Sequence, residues 1–421
     1  MSSDQVESVE DFRERARTWI RANLKPNTDM TFGSLRSQRT EEEELAGVAR
    51  DREVQRMLFD AGLAGICIPR EYGGQGLTPA HQHAFNEEIA GFEYPLRLQA
   101  PNLVPCAAVL LEFGTEEQKQ QHIPAILKGE EIWMQLLSEP SSGSDVAAAR
   151  TSAVREGDDW ILNGSKIWTT GAWWSDWGLV LARTNWDVPK HRGLTVFMLP
   201  LHQPGVDVHR IEMLNGSKEF CQEFMTDVRV PDSDRVGDVD GGWTVGTRWM
   251  FHERMLFSSP LVTVPKGTLH GGTGSGALVE VVRELGKLDD PKALELLGEA
   301  RMLELVKQHL QPRIAQSMAA GRLNDQGAAI GRLFTGATGA RIFTIAFDIA
   351  GPAGAAWADD DGAVRPVGED FLMRQAACIG GGTLEMARNV ISERVLGMPR
   401  ERSQDRDVPF RDIPHGAPTS R

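Results

Sequence analysis

The sequence of 421 residues predicts an α+β protein in which a sheet domain is set between two helical ones. Three observations carry that reading. Apolar residues recur at helical spacing over the first 130 positions; from Glu131 to about Pro231 short apolar runs alternate with turn signals; beyond Trp243 helical periodicity returns and persists to about Leu396. Helices, then strands, then helices place the sheet in the middle of the chain. The corresponding divisions are a helical N-terminal domain at 1–130, a β-sheet or barrel domain at 131–235, a C-terminal four-helix bundle at 236–398 and a polar tail at 399–421. A chain of this length buries a large core, and no internal repeat interrupts the order.

In the first division, Phe12, Ala16, Trp19, Ile20 and Leu24 form one apolar face that stops at Pro26. A polar loop runs from Asn27 to about Thr40, and helical patterns resume at Glu41–Ala61, His81–Ala90, Val104–Leu111 and Glu116–Leu127. Between the first two lies a glycine-rich turn, Pro69 to Leu77. The candidate strands of the second division are Trp133–Leu137, Ser152–Arg155, Trp160–Leu162, Leu179–Arg183, Leu194–Leu199, Val206–Arg210 and Cys221–Val230. Glu156-Gly157-Asp158-Asp159 and Asn163-Gly164 are expected hairpin turns. In the third, Asp289-Asp290-Pro291 reads as the cap and first-turn proline of a long helix through Leu310. The tail from Pro399 is polar and proline-bearing, and is expected to be disordered or to wrap a neighbour.

Composition narrows the function. A net charge of −14 argues against nucleic acid as a partner drawn by the overall field. Cys67, Cys106, Cys221 and Cys378 are far apart and form no C-x-x-C pair, so they read as reduced core thiols rather than a zinc site or a disulfide framework. His81, His83 and His270 lack ligand-like partners at helical or turn spacing, and no metal is expected. The polar, acidic start Met1-Ser2-Ser3-Asp4-Gln5 lacks the basic and apolar residues of a targeting peptide. No apolar run approaches the roughly 20 residues that span a bilayer. A cytoplasmic protein without membrane insertion is expected.

The chemistry is concentrated in two segments. Leu136 to Asp145 reads Leu-Leu-Ser-Glu-Pro-Ser-Ser-Gly-Ser-Asp, a polar turn leaving a strand, where backbone N–H groups and short hydroxyls can converge on an anion. Lys166-Ile167-Trp168-Thr169-Thr170-Gly171 places an indole and a hydroxyl at the end of another strand. Each alone is an ordinary turn or core segment. In this order and spacing they resemble the flavin-binding segments of the acyl-CoA dehydrogenase family. Tyr72-Gly73-Gly74-Gln75-Gly76, Phe113 to Lys119, Gly129-Glu130, and Ile379-Gly380-Gly381-Gly382-Thr383-Leu384-Glu385-Met386 resemble further landmarks of that family. The resemblance covers almost the whole chain.

It implies α,β-dehydrogenation of an acyl-CoA thioester. A desolvated carboxylate removes the α-proton while the β-hydrogen leaves as hydride to FAD, and donors meet the thioester oxygen where enolate charge develops. In many members the base is a Glu just before the last helix; the position here is Gly381. Isovaleryl-CoA and long-chain dehydrogenases instead carry it on an early helix of the C-terminal domain. Met250-Phe251-His252-Glu253-Arg254-Met255 resembles that helix, which makes Glu253 the candidate base. Apolar neighbours would disfavour its charged form and raise its basicity. Gln135, Leu137 and Ser138 resemble contacts to the flavin ring edge, and Gly143 lies in the same turn. Ser144 resembles the pyrophosphate contact. Trp168 and Thr170 resemble the ring-packing indole and the hydroxyl beside it, Thr383 and Glu385 resemble flavin contacts, and Arg254 resembles the arginine that supports the CoA end. The Gly381 N–H would join the ribityl hydroxyl of FAD as the enolate's oxyanion hole. Trp168, Trp173, Trp174 and Trp177 form a dense indole patch, divided between flavin packing and core or subunit contact.

One segment departs from the family. No Arg-x-x-Phe-Gly follows the Glu253 helix, so the usual anchor to the FAD of a neighbouring subunit is in question. Gly272, Gly274 and Ala277 satisfy a loose G-x-G-x-x-A pattern, but the first glycine lies eight residues past the apolar run and no second strand follows; a turn before the Ala277–Leu288 helix is the better reading. The partners implied are an acyl-CoA substrate and an electron-transferring flavoprotein as acceptor, within a homo-oligomer (dimer or tetramer) or a heterotetramer. Two alternatives stand beside dehydrogenation: a flavin-dependent monooxygenase or oxidase on the same fold, and a non-catalytic subunit of a heteromeric dehydrogenase.

Overall fold

Ser8 opens the first helix by accepting the Asp11 N–H at 3.1 Å, which sets α1 (Val9–Asn23) with Phe12, Ala16 and Ile20 inward. The computed structural model describes residues 6–27, 40–255, 259–263, 275–356, 364–402 and 405–414. Thr40 begins α2 (Glu41–Asp60) with a capping box to Glu43, and Thr115 begins α6 (Glu116–Leu127) with another to Gln118. Between them α3 (Pro79–Glu88) packs on α1 around Phe85 and Ala84.

The run expected at Val104–Leu111 is broken. A short α4 (Leu96–Pro101) passes into a π-helical turn, Asn102–Ala107, before α5 (Ala108–Phe113). Pro105 lies inside that turn; it has no N–H to give, and the wider winding accommodates it. The Pro69–Leu77 turn needs its glycines for close approach: a Cβ on Gly74 would sit 2.1 Å from the Ile68 carbonyl oxygen.

The middle of the chain forms one eight-stranded sheet. Its strands are β1 (Trp133–Leu136), β2 (Ser152–Glu156), β3 (Asp159–Thr170), β4 (Trp177–Arg183), β5 (Leu194–Pro200), β6 (Val206–Arg210), β7 (Phe220–Pro231) and β8 (Arg235–Val236). They lie in the order β6-β7-β3-β2-β4-β5-β8, with β1 added parallel to β4. Residues 157 and 158 turn the β2–β3 hairpin, as expected. Asn163-Gly164 does not turn the chain. It lies inside β3, where the register with β7 shifts between Leu162 and Gly164, and a Cβ on Gly164 would meet the Thr151 Cα at 2.6 Å.

One face of the sheet (Leu179, Leu181, Val196, Met198) packs on Leu103, Val109, Leu110 and Leu127 of the N-terminal helices and on Trp249 of α7 (Gly242–Arg254). Beyond it, α8 (Ser275–Glu284), α9 (Pro291–Ala319), α10 (Ala328–Ala350) and α12 (Val364–Met373) share a separate core of Val281, Leu296, Ile345 and Val367; the single turn α11 (Pro352–Ala355) and α13 (Leu384–Val390) complete the region. Asp290 caps α9 through the Lys292 N–H at 2.9 Å with Pro291 in the first turn, and the helix runs past Leu310 through Pro312.

Two expectations change. The segment Asp325–Ala350 is a helix long and apolar enough, by length and composition, to cross a membrane. It carries Arg332, Arg341 and Asp348, and Arg341 makes a bidentate ion pair to Glu299 of α9 at 2.6 Å. The tail, expected to be disordered or to wrap a neighbour, returns to its own sheet domain. Pro409 bridges Pro189, and Phe410 is buried with the Arg183 guanidinium 3.6 Å from its ring centroid.

Candidate active site

The two motif segments meet. The Ile167 N–H donates to the Ser138 carbonyl at 2.9 Å, and the Lys166 ammonium donates to the Leu137 carbonyl at 3.1 Å, the Glu139 carboxylate at 2.8 Å and the Leu181 carbonyl at 2.7 Å. Lys166 is fully buried, so all three of its protons must find acceptors, and they do. Glu139 also accepts the Arg150 and Thr151 amides, at 2.6 and 2.9 Å. Burial works against its charge, but Lys166 and these donors outweigh burial and hold the carboxyl below its ordinary range. The turn is therefore pinned from beneath by a buried ion pair, a role the sequence reading left unassigned.

Above this pin, Gly143 and Ser144 stand exposed, with no heavy atom within 4 Å of a Cβ built on Gly143. Asp145 pairs with Lys190 at 2.7 Å, and Lys190 pairs with Asp405 of the tail at 3.0 Å. At the end of β3, Trp168 sits at a register shift with φ +68 and its side chain half exposed, edge-on to Phe220 at 5.9 Å. A left-handed backbone is costly for a bulky residue and is kept where surrounding structure imposes it. Thr169, next along, turns inward and donates to Glu223 at 2.9 Å; burial pushes that carboxyl up to about 7. Thr170 ends the strand before Gly171.

The expected indole patch is dispersed. Trp177 stacks on Trp133 at 5.3 Å, Trp173 lies under the Arg210 guanidinium, and Trp174 packs against the sheet core, leaving Trp168 as the half-exposed member. An open indole face and an unobstructed turn of glycine and short hydroxyls fit the ring and diphosphate of a flavin nucleotide.

Glu253 follows from the helix it sits on. Gly242, Val245 and Trp249 form the buried stripe of α7, and Glu253 extends that stripe by one turn. Trp249 donates to the Gln135 Oε1 at 2.6 Å, which ties α7 to β1. The adjacent face is held by Arg248 and His252, both bonded to Glu112 of α5, at 2.7 and 3.0 Å. Burial raises the Glu253 carboxyl above its ordinary range, with Arg254 beside it and Arg332 of α10 acting in the opposite direction. Arg254 itself is exposed at the helix end.

Arg332 also reaches the glycine turn. It donates to the carbonyls of Ala377 at 2.9 Å, Gly380 at 2.7 Å and Gly382 at 3.0 Å. The turn that carries Gly381 is thus held by one guanidinium from α10, whose charge also favours the ionised form of Glu253. Gly381 has φ +70, and its N–H has no acceptor among the described residues. Thr383 caps α13 by accepting the Met386 N–H at 3.1 Å, and Glu385 is exposed and pairs with Arg388 at 3.4 Å. His81 is occupied by Thr78 and the Glu7 carbonyl, and burial pushes the Cys67 thiol up to about 11 and the Cys221 thiol up to about 12. The glycine pattern at 272–274 and His270 lie outside the described residues.

Comparison with known proteins decides the family. The model of the acyl-CoA dehydrogenase N-terminal domain matches residues 7–130, and that of the middle domain matches residues 135–228. The chain belongs to the acyl-CoA dehydrogenase family. Its members are oxidoreductases acting on CH–CH bonds. The acyl-CoA dehydrogenase IpdE1 of Mycobacterium tuberculosis is 32% identical over 405 residues, 94% of this chain and 99% of that protein. Among solved structures, the Tcur3481-Tcur3483 steroid ACAD matches at TM-score 0.73 and 26% identity, covering 94% of this chain and all of that one. The ChsE4-ChsE5 complex from Mycobacterium tuberculosis matches in fold at TM-score 0.68 and 24% identity, covering 95% of this chain and 100% of that one.

Proposed function

We propose that this acyl-CoA dehydrogenase is FAD-dependent and converts an acyl-CoA thioester to its 2-enoyl-CoA with Glu253 as the α-proton base. The observation that carries the reading is the Glu253 carboxyl at the end of α7, on the helix that Trp249 ties to Gln135 of β1, in a chain whose other candidate position for the base is Gly381. FAD, when bound, supplies the hydride acceptor. The chain's own residues do the rest. Glu253, desolvated on the buried stripe of α7, takes the α-proton at its carboxylate, and burial makes it a stronger base than an exposed Glu. The free N–H of Gly381 is the donor for the thioester oxygen as enolate charge develops. The Leu137–Asp145 turn and the Trp168 face hold the cofactor, braced by Lys166–Glu139. Arg254, exposed beside the base, serves the CoA end. Electrons then pass to an electron-transferring flavoprotein.

The steroid ACAD among the structural relatives favours a bulky, ring-bearing acyl group over a short straight chain. That relative, a Tcur3481-Tcur3483 pair, also supports a heteromeric assembly, in line with the missing Arg-x-x-Phe-Gly.

The test is anaerobic mixing of the flavin-loaded protein with a panel of straight-chain and steroid-side-chain acyl-CoAs, followed by visible absorption. Wild type is expected to bleach with at least one ring-bearing thioester. Glu253→Gln is expected to keep its flavin bands and to bleach at least a hundredfold more slowly, on the order of what a positioned general base contributes. A Glu253→Gln protein that bleaches at the wild-type rate refutes the assignment.

A further inference from the structure

Arg332 stands on the inner face of α10, where Gly336, one turn on, clears its path. A Cβ on Gly336 would lie 2.7 Å from the Arg332 Nη1 and 2.6 Å from Leu384. The guanidinium extends through that gap to the turn before α13 and satisfies three backbone carbonyls, those of Ala377, Gly380 and Gly382. Gly381 and Gly382 are both left-handed, at φ +70 and +95, and their carbonyls lack the regular partners of a helix or strand. Only a planar fork with donors on Nε and both Nη atoms can meet three such acceptors at once; an ammonium on a flexible stem cannot fix their mutual orientation.

The positive charge of the same guanidinium also favours the ionised form of Glu253, after the larger influence of Arg254. The charged groups acting on Glu253 are Arg254, from its own helix, and Arg332, from α10; those acting on Arg332 are Glu253 and the Cys378 thiol. Arg254 has the larger influence of the two and is exposed at the helix end, whereas Arg332 is half-buried and fixed by its three carbonyl bonds.

We propose that Arg332 is the positioning residue of the dehydrogenation site, holding the Gly380–Gly382 turn, and with it the Gly381 N–H, in one fixed arrangement. The proposal rests on Glu253 being the base. It adds a residue from α10 that need not touch substrate or flavin, and it separates into two roles. One is geometric: three carbonyl bonds orient the turn that carries the Gly381 N–H. The other is electrostatic: a positive charge on α10 opposes desolvation and favours the ionised Glu253 carboxylate.

Two substitutions separate the roles. Arg332→Lys keeps the charge and loses the fork, while Arg332→Met loses both. The probe is acetoacetyl-CoA, whose acidic α-proton allows a stable enolate to be read by its ultraviolet absorbance when a base takes the proton. Bound enolate is titrated against pH in the flavin-loaded wild type, in both Arg332 variants and in Glu253→Gln. For Arg332→Met the midpoint of enolate formation is expected to move up by about one pH unit, because removing a nearby positive charge makes the carboxyl harder to ionise. For Arg332→Lys the midpoint is expected to stay within a few tenths of wild type, while the bound enolate falls at least tenfold through loss of the turn.

Failure of the two readings is distinguishable. Enolate forming normally in Glu253→Gln overturns the base assignment. Enolate abolished in Glu253→Gln but titrating with wild-type midpoint and amplitude in both Arg332 variants overturns the role of Arg332 alone. Should Arg332→Met lose its flavin or its cooperative melt, Arg332→Lys decides: wild-type amplitude refutes the proposal.

Discussion

Glu223 provides the most quantitative test of how the sheet supports the site. Its carboxyl lies on β7 opposite Lys166 of β3 and accepts the Thr169 hydroxyl at 2.9 Å, while its other oxygen is buried without a hydrogen-bond partner among the described residues. Burial dominates the opposing pull of Thr169 and Lys166 and pushes the group from 4.5 up to about 7. The sign follows directly. The folded protein holds this proton more tightly than the unfolded chain, so stability is full below the unfolded value and is lost as pH rises through the folded one. Each pH unit between the two is worth about 1.4 kcal/mol, so full ionisation costs the fold on the order of 3 kcal/mol. Between pH 5 and pH 8 the loss is about 2.5 kcal/mol. Glu223→Gln keeps an acceptor for Thr169 and cannot ionise, so its stability relative to wild type is expected to rise by about that amount over the same interval. Urea unfolding of both proteins at the two pH values, followed through the sheet tryptophans Trp133, Trp160 and Trp177, measures the difference. A difference that is constant with pH, or that shrinks as pH rises, refutes the reasoning.

Trp168→Gly is expected to leave the melting temperature unchanged or raise it, because glycine relieves a left-handed backbone worth roughly 1–2 kcal/mol. The same change removes the open indole face, and the FAD dissociation constant is expected to rise about tenfold in a flavin fluorescence titration, equivalent to about 1.4 kcal/mol. Phe410→Ala empties a site that is 1% exposed and lies against Arg183, and is expected to cost about 3 kcal/mol. Limited proteolysis checks it: the segment after Pro399 should be cleaved well before the sheet domain, and equal resistance in wild type and variant would contradict the docking of the tail.

β6 and β7 were legible through the alternation that a half-buried strand writes into the chain, β4 and β5 as short continuous apolar runs buried on both faces, and most candidate strands lie within two residues of an observed end. Where the reading slipped, one residue type was serving another purpose. Asn163-Gly164 has the composition of a hairpin turn, but Gly164 is there because Thr151 approaches too closely for a side chain. Pro105 broke a helix that periodicity ran straight through. The polar tail concealed Phe410, whose partners Arg183 and Trp186 lie more than two hundred residues earlier. At the site, the motif residues were readable by resemblance, while their supports were not. Lys166, Glu139, Glu223 and Arg332 are charged, and charge in a sequence reads as surface; their burial becomes reasonable only when partners from distant segments are known.

A carboxylate at position 381, the alternative place for the proposed base, would conflict with what Arg332 does in this chain. A side chain at position 381 would begin at φ +70, where an L-residue is strained, and its Cβ would lie 3.9 Å from the Arg332 Nε. A glutamate there would pair with that guanidinium and compete with the Gly380 and Gly382 carbonyls that now hold it. It would gain an ion pair at the expense of the turn and would enter the site with its basicity lowered. The proposed base Glu253 comes instead from α7, leaves those carbonyl bonds intact, and lies where burial raises its affinity for a proton. A glycine at 381 and an arginine at 332 are therefore one arrangement: a side chain at 381 leaves a strained turn, and loss of the guanidinium leaves the carbonyls of Ala377, Gly380 and Gly382 without their donor.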